Sequence, residues 1–189
     1  MKRALVVVPL LLLTAGLCLA QPEVRDAPPN PGPQARIAPA NEPGTPLVIS
    51  GTVYAPDGVT PAPGVVVYGY HTDANGYYNP EHSAQQTPRL RGWARTDANG
   101  HFEFRTIRPA AYPGRSIPAH VHWQAWSPEY PRQWFDELQF ADDPLVTMAM
   151  KQQAQAKGTF ANIVSLDRRA DGALHCTVSL RLQKESNFK

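Results

Sequence analysis

The feature that most constrains the fold is a five-residue sequence, Thr-Asp-Ala-Asn-Gly, which occurs twice, at Thr72–Gly76 and at Thr96–Gly100. Each copy lies between apolar segments of extended character. Asn-Gly tolerates the positive φ angles that tight hairpins require, so both copies are predicted to be hairpin turns. A chain punctuated in this way is expected to consist largely of β-strands.

Eight short segments fit that expectation, because they are rich in β-branched and aromatic residues and are separated by turn residues. These segments are Leu47–Tyr54, Gly64–Tyr70, Gly92–Thr96, His101–Thr106, Ala119–Trp126, Trp134–Phe140, Thr159–Leu166 and Ala173–Leu182. Only Leu145–Ala156 has helical composition. The number and spacing of the segments predict an all-β fold, an antiparallel β-sandwich of about eight strands with one short helical excursion.

The beginning of the chain has the composition of a secretory signal peptide. Residues 1–20 combine the positive charges of Lys2 and Arg3 with an apolar run and small residues before a cleavage point after Ala20. The apolar run is too short to span a bilayer comfortably. A lipoprotein signal that ends at Cys18 is the alternative, but a bulky leucine precedes this cysteine where a small residue is expected. We therefore expect a mature protein that is periplasmic or secreted.

A proline-rich segment separates the signal from the rest of the chain. Residues 21–46 contain eight prolines and almost no large apolar side chain. Such a composition buries too little surface to offset the entropy lost on ordering, so we expect an extended, mobile tether. The folded domain is then predicted to comprise residues 47–189, a normal size for one hydrophobic core.

Charge and cysteine content narrow the class of function. Without Lys2 and Arg3, 16 basic residues balance 16 acidic ones, so nucleic acid is not an expected partner. No membrane association is expected once the signal is removed. Cys176 would be the one remaining cysteine, so the core must hold the fold without an intramolecular disulfide. Exposed sheet edges would permit a homo-oligomer.

Two histidines one residue apart, His120 and His122, are the clearest sign of chemistry. In an extended segment they share one face, while Val121 faces the other way, so both imidazoles can bind one ion. An isolated pair of this kind usually belongs to a solvated face. Here Tyr78 and Tyr112 precede the pair, and phenolate oxygen is a hard anionic donor that suits ferric iron.

Several motifs around these residues resemble, in order and spacing, the core of the intradiol ring-cleavage dioxygenases, the catechol and protocatechuate class. The motifs are Arg89–Pro109, Ala111–Arg115 and Pro118–His122, and Leu138–Leu145 resembles the L-Y-F-x-G-D-P segment that follows in that family. The likeness runs from about residue 49 to residue 145 and continues more weakly beyond.

The resemblance implies a β-sandwich that holds one non-haem Fe(III) through two tyrosines and two histidines. By position these ligands are Tyr78, with Tyr77 as the second choice, Tyr112, His120 and His122. The family activity it implies is cleavage of a catechol-type aromatic diol by O2, between the two hydroxylated carbons, to a muconate-type diacid. Tyr112 is implied as the general base, and no organic cofactor is implied.

The substrate shell departs from the family pattern. Ile117 stands where the family usually carries an arginine, and the nearest arginine is Arg115. Either Arg115 reaches the pocket through a shifted loop and is a second catalytic residue that supplies positive charge for the developing anion, or that electrostatic help is missing. Glu137 stands where a glutamine is common and is expected to take part in substrate binding. Gln139 stands where a tyrosine is common.

Two further hypotheses remain open at this point. The segments Gly51–Val67 and Thr96–Phe104 also resemble transthyretin-like or carboxypeptidase-regulatory-like sandwich repeats, which are non-catalytic modules of secreted proteins. The chain could therefore be a secreted binding module, or an iron-binding relative with lost or altered activity. The tyrosine and histidine quartet discriminates between them, because a mere module has no reason to carry it.

Overall fold

The computed structural model describes residues 26–80 and 87–188, so the predicted signal peptide at residues 1–20 lies outside the described residues. In this part of the chain, strands dominate and one α-helix, α1, spans Met148–Gln155. The strands are β1 (Gln34–Arg36), β2 (Pro46–Tyr54), β3 (Val66–His71), β4 (Arg91–Arg95), β5 (His101–Ile107), β6 (His120–Trp126), β7 (Gln133–Trp134), β8 (Leu138–Phe140), β9 (Ile163–Val164), β10 (Asp167–Arg168) and β11 (Leu174–Arg181). No helix within the described ranges is long and apolar enough to cross a membrane.

The strands form two sheets that pack face to face, which confirms the predicted β-rich, sandwich-like architecture. One sheet has the order β1-β5-β2-β11-β10, and the other has the order β4-β3-β6-β8-β9 with β7 paired to β6. Both sheets are mixed, since β1 pairs with β5, β11 with β2 and β8 with β9 in parallel. The prediction of a purely antiparallel sandwich is therefore wrong, because strands far apart in sequence return in the same direction as their neighbours.

The hydrophobic core lies between the two sheets. Trp123 of β6 is 1% exposed and contacts Phe102 and Phe104 of β5 across the interface, at ring-centroid distances of 6.2 and 5.8 Å. Because side chains alternate along a strand, the burial of Val121 and Trp123 in this core turns His120 and His122 toward the outer face of their sheet.

Both copies of the repeated pentapeptide are turns that share one geometry, but the prediction of hairpins is wrong. The first copy lies in the long connection between β3 and β4, and the second links β4 of one sheet to β5 of the other. In the first copy the Asp73 carboxylate accepts hydrogen bonds from the backbone N–H groups of Asn75 and Tyr77 at 2.9 and 3.0 Å. The Asp97 carboxylate of the second copy accepts the equivalent pair at 2.8 and 2.9 Å. The final glycine adopts φ of +89° in Gly76 and +72° in Gly100, a region that a side chain disfavours.

The segment predicted as one strand at Trp134–Phe140 is divided by a β-bulge. β7 pairs with β6 through Gln124↔Trp134, whereas β8 pairs with it through Val121↔Leu138, and the two registers differ by one residue. Two residues, Asp136 and Glu137, therefore oppose His122 alone, which is the defining property of a bulge. The predicted strand Thr159–Leu166 is also largely replaced, by a 3₁₀ turn at Gly158–Phe160 and the two-residue β9.

Part of the predicted tether belongs to the folded domain, so the expectation of a mobile segment throughout residues 21–46 is wrong. β1 extends the edge of the first sheet, and Ile37 and Ala38, which follow it, are 3% and 2% exposed. Further along, Glu42 forms a two-pronged ion pair with Arg89 at 2.6 and 2.7 Å. Backbone pairing with β5, burial of Ile37 and Ala38 and the Glu42–Arg89 ion pair therefore hold this segment, although it has no long apolar run.

Candidate metal centre

Four side chains converge on one point at the outer face of the second sheet. The Nε2 atoms of His120 and His122 lie 3.1 Å apart. Tyr78 Oη lies 2.8 Å from His122 Nε2, and Tyr112 Oη lies 3.0 Å from His120 Nε2 and 3.4 Å from His122 Nε2. The two tyrosine hydroxyls also hydrogen-bond to each other. The structure therefore brings together the four predicted ligands, from three separate parts of the chain.

The first repeated turn places Tyr78 and Tyr112 side by side. Thr72 Oγ1 donates to the Ala110 carbonyl at 2.7 Å, and Ala110 N–H donates to the Asp73 carbonyl at 3.0 Å. The loop that carries Tyr112 is thus bonded to the turn that carries Tyr78. The turn at Thr72–Gly76 therefore positions both tyrosines of the donor set.

Buried Asp143 fixes the position where β6 begins. Its carboxylate accepts hydrogen bonds from the backbone N–H groups of Ala119 at 3.0 Å and Leu145 at 2.8 Å. Asp143 is 7% exposed and lies in the segment after β8. It therefore ties that segment to the residue before His120, which gives the likeness of Leu138–Leu145 to the family motif a structural reason.

Hydrogen bonding determines which nitrogen of His120 faces the site. Its Nδ1 lies 2.7 Å from the Pro118 carbonyl oxygen, which can only accept, so the ring proton is on Nδ1. Nε2 consequently presents a lone pair to the centre. For His122, Nδ1 lies 3.3 Å from the Glu137 carboxylate, and Nε2 again faces the centre.

Burial disfavours the charged forms of His122, Tyr78 and Tyr112 in the absence of a cation. It lowers the pKa of His122 to about 4, with a smaller contribution from repulsion by His120. It also raises the pKa of Tyr78 above its ordinary value, assisted by the hydrogen bond with Tyr112, whose own pKa burial raises as well. At neutral pH both phenols therefore keep their protons, and each hydroxyl lies within hydrogen-bond reach of an imidazole nitrogen and of the other hydroxyl.

This donor set fits a ferric ion. Metal–ligand bonds of about 2 Å place neighbouring donor atoms about 3 Å apart, and the contacts between tyrosine oxygens and histidine nitrogens here span 2.8 to 3.4 Å. A trivalent cation would replace the two phenol protons and lower the phenol pKa by its charge. Two hard phenolate oxygens and two imidazole nitrogens suit ferric iron, whereas calcium and magnesium prefer shells made of oxygen atoms alone.

Two aromatic rings lie against the imidazole of His122. Tyr70 stacks on its imidazole at a centroid distance of 4.6 Å and an interplanar angle of 15°, and Trp134 approaches it edge-on at 6.4 Å. Tyr70 is directly opposite His122 in the register of β3 and β6. That register could have identified Tyr70, had the pairing been known in advance.

An open cavity of about 370 Å³ adjoins the donors and is lined by Gly76, Tyr77, Tyr78, Tyr112, Pro113, Arg115 and Ile117. Arg115 therefore borders the same cavity as Tyr78 and Tyr112. Tyr77 borders the cavity, while the hydroxyl of Tyr78 makes the donor contacts. Among the described residues Glu137 is not part of this lining and lies instead behind His122. A larger cavity of about 590 Å³, bordered by Trp134 and Phe160, includes none of the four donors.

Residues 22–183 match the protein family described as Dioxygenase, and the chain belongs to the intradiol dioxygenases. Catechol 1,2-dioxygenase 1 of Acinetobacter lwoffii is 36% identical over 119 residues, which are 53% of this chain and 38% of that protein. The protocatechuate 3,4-dioxygenase beta chain of Burkholderia cepacia is 29% identical over 110 residues, which are 53% of this chain and 46% of that one. The chain thus spans less than half the length of these two curated relatives.

Solved structures give the same assignment. The dioxygenase domain of a dioxygenase and carbohydrate-binding protein fusion from Streptomyces sp. SirexAA-E superposes with a TM-score of 0.60 at 26% identity, covering 84% of this chain and 92% of that one. Catechol 1,2-dioxygenase from Acinetobacter sp. ADP1 superposes with a TM-score of 0.63 at 22% identity, covering 83% of this chain and 58% of that one. The second likeness concerns the fold alone.

Proposed function

We propose that this protein is a non-haem Fe(III) intradiol dioxygenase that cleaves a catechol-type aromatic diol with O2 between its two hydroxylated carbons, giving a muconate-type diacid. The observation that carries the proposal is the convergence of Tyr78, Tyr112, His120 and His122 beside an open cavity. The family to which the chain belongs supports the reaction type.

In this proposal Tyr78, Tyr112, His120 and His122 hold the ferric ion. The ion would act as a Lewis acid that lowers the pKa of the diol hydroxyls, and the deprotonated diol is the electron-rich form that can react with O2. His120 and His122 present Nε2 lone pairs that need no rearrangement, because a carbonyl and a carboxylate face their Nδ1 atoms. The protein thus prepares the donors before a substrate arrives.

Tyr112 is proposed as the general base that takes a proton from the diol onto its Oη atom. It lies on a loop between β5 and β6 and borders the cavity, so its ring can turn toward a bound diol. Burial raises the pKa of the Tyr112 phenol, so the phenol would hold the transferred proton once it no longer faces the cation. Arg115, on the same cavity, is proposed to offset the negative charge that develops on the ring.

The decisive experiment loads the purified protein with Fe(III) and records its visible spectrum and its O2 uptake with catechol. A phenolate-to-iron absorption band, O2 consumption and a muconate product are expected. A protein that stays colourless after loading would contradict the proposal and favour the non-catalytic module. A coloured protein that consumes no O2 with any catechol would instead indicate an iron-binding relative without ring cleavage.

The altered substrate shell is the observation that keeps the iron-binding relative as a second candidate. Ile117 is 40% exposed at the cavity, in the position where the resemblance implies an arginine. An apolar side chain cannot supply the electrostatic stabilisation that a guanidinium offers to an anionic transition state. Loss of ring cleavage or a change of substrate would follow if Arg115 does not compensate.

We further propose that the mature protein is secreted or periplasmic and begins at Gln21. The basis is the composition of residues 1–20. Expression of the full chain in a bacterial host, followed by intact-mass measurement of the periplasmic and cytosolic fractions, tests this. The full-length mass in the cytosol alone would contradict the proposal.

A further inference from the structure

The surroundings of the two histidine ligands differ in charge. His120 Nδ1 faces the neutral Pro118 carbonyl at 2.7 Å, whereas His122 Nδ1 faces the Glu137 carboxylate at 3.3 Å. Two imidazoles of the same strand, aimed at the same point, therefore have different groups at Nδ1: a hydrogen-bonded carbonyl for His120 and a carboxylate within ion-pair distance for His122.

Glu137 lies at the Nδ1 side of His122 and not at the Nε2 side, where the other donor atoms meet. His120, His122 and Glu137 form a compact group whose nearest ligand atoms all lie within 4.8 Å of one another, so a direct metal–carboxylate bond has to be considered. The two nitrogens of an imidazole point outward from opposite sides of the ring. Because the carboxylate lies at Nδ1 and the tyrosine oxygens lie at Nε2, Glu137 is on the far side of His122 from the centre.

The β-bulge places Glu137 there. Without the extra residue, the register of β7 would continue so that Asp136 opposed His122 and Glu137 turned toward the core. The shift to the register of β8 turns Glu137 outward, onto the same face as His122. Bulges frequently redirect a side chain next to a functional site in this manner.

Neighbouring contacts hold this arrangement in place. Asp136, the other residue of the bulge, pairs with Lys157 at 2.9 Å. Asn162 Nδ2 donates to the Glu137 carbonyl at 2.9 Å, and Lys157 also donates to Asn162 Oδ1 at 2.8 Å. The Lys157 ammonium thus engages Asp136 and leaves the Glu137 carboxylate to His122.

We propose that Glu137 is a positioning residue whose carboxylate holds the His122 proton on Nδ1 and strengthens Nε2 as a ligand. The proposal rests on the proposed function in taking the bound ion to be ferric iron. A carboxylate behind a ligating histidine fixes its tautomer and increases the electron density that it donates, which favours the more highly charged ion. A glutamine, common at this position in the family, would fix the tautomer without adding charge.

The first test needs no metal. In ¹⁵N NMR spectra of the metal-free protein, His122 is expected to carry its proton on Nδ1, and Glu137→Gln is expected to retain that tautomer through the amide oxygen. Glu137→Leu should shift His122 toward the other tautomer. Glu129→Gln, an exposed residue away from the site, is the control that changes charge equally. An unchanged His122 tautomer in Glu137→Leu would overturn the proposal.

The second test measures ferric affinity by competition with a chelator. Loss of an outer carboxylate typically weakens metal binding by about 10- to 100-fold, and we expect this range for Glu137→Leu, a smaller loss for Glu137→Gln and no change for Glu129→Gln. Equal ferric affinity in all four proteins would overturn the proposal. Failure of the wild type to consume O2 with catechol would sink the proposed function but leave the tautomer and affinity measurements fully interpretable.

Discussion

Gly76 approaches Ala111 so closely that a Cβ atom on Gly76 would lie 2.2 Å from the Ala111 carbonyl oxygen. This contact joins the turn before Tyr78 to the residue before Tyr112. Because Gly76 has no side chain, the segment that carries Tyr78 can pack against the segment that carries Tyr112 at this point. Gly76 therefore permits the close approach of two segments whose tyrosines are 34 positions apart in the chain.

Gly76→Ala is predicted to displace Tyr112 and to weaken ferric binding by about tenfold or more. The matched control is Gly100→Ala in the second copy of the pentapeptide, where the new Cβ would meet the Val53 carbonyl oxygen at 2.7 Å, away from the donors. Both variants place alanine at positive φ and should lose at least about 1 kcal/mol of unfolding free energy. Thermal unfolding together with iron titration separates the effects, and equal loss of iron affinity in both would refute this role of Gly76.

The tyrosine assignments predict three different outcomes for substitution by phenylalanine. Tyr112→Phe should retain only part of the iron affinity, because one phenolate ligand is lost, and should slow turnover by about 10²-fold or more, because the proton acceptor is lost. Tyr78→Phe should lose iron affinity, since no phenolate remains at that corner, while Tyr77→Phe should retain both properties. Visible spectra and O2 uptake distinguish the three. Unchanged kinetics in Tyr112→Phe would exclude it as the base, and iron loss in Tyr77→Phe would reassign the first tyrosine ligand.

Strands and ligands could be predicted from the sequence where the signal is local. The alternation of His120 and His122 with Val121 follows from strand geometry alone, and the structure confirms it. Parallel pairing of β2 with β11 joins segments more than 100 residues apart, and no local pattern specifies that direction. For the same reason the stacking of Tyr70 on His122 became visible only with the register of β3 and β6.

The sequence does not predict the ordered segment before β2, because amino-acid composition gives little indication that this segment is attached to the sheet. Gln34–Arg36 holds its place through backbone pairing with β5, which any side chain permits. Proline-rich flanks suggest disorder, yet proline is compatible with edge strands. The sequence does not predict the bulge opposite His122 either, since one extra residue changes the alternation of apolar and polar residues very little.

Acid is predicted to destabilise the fold through His71. This residue is fully buried, with Nδ1 at 2.6 Å from the Thr72 carbonyl and Nε2 at 2.6 Å from Thr106 Oγ1, and burial lowers its pKa from 6.5 to about 4. The unfolded chain therefore takes up the proton first as the pH falls. The free energy of unfolding should be intact above pH 6.5 and should decline by about 3 kcal/mol as the pH approaches 4.

Denaturant unfolding of the metal-free protein at several pH values measures this decline. Burial also lowers the pKa of His122, so His122 contributes to the same loss of stability in acid. Comparison of the wild type with His71→Gln isolates the contribution of His71. The variant should be less stable at pH 7 but lose less on acidification. Parallel pH curves for the two proteins would show that His71 does not contribute.

A cation at position 117 is predicted to change substrate preference. Ile117→Arg should tighten binding of a carboxylated catechol such as protocatechuate by about tenfold, because a charged hydrogen bond replaces an apolar contact, and should leave catechol binding nearly unchanged. Val59→Arg is the control, since Val59 is also an exposed apolar residue and lies outside the cavity lining. Equal effects of both substitutions would show that Ile117 does not face the bound diol.

The central claim is that Tyr78, Tyr112, His120 and His122 bind one ferric ion. Crystals of the iron-loaded protein, measured above and below the iron absorption edge, test it most directly. A single anomalous peak is expected about 2 Å from each of the four donor atoms. A peak that is bound by other residues, or the absence of any peak among these four side chains in a fully loaded sample, would contradict it.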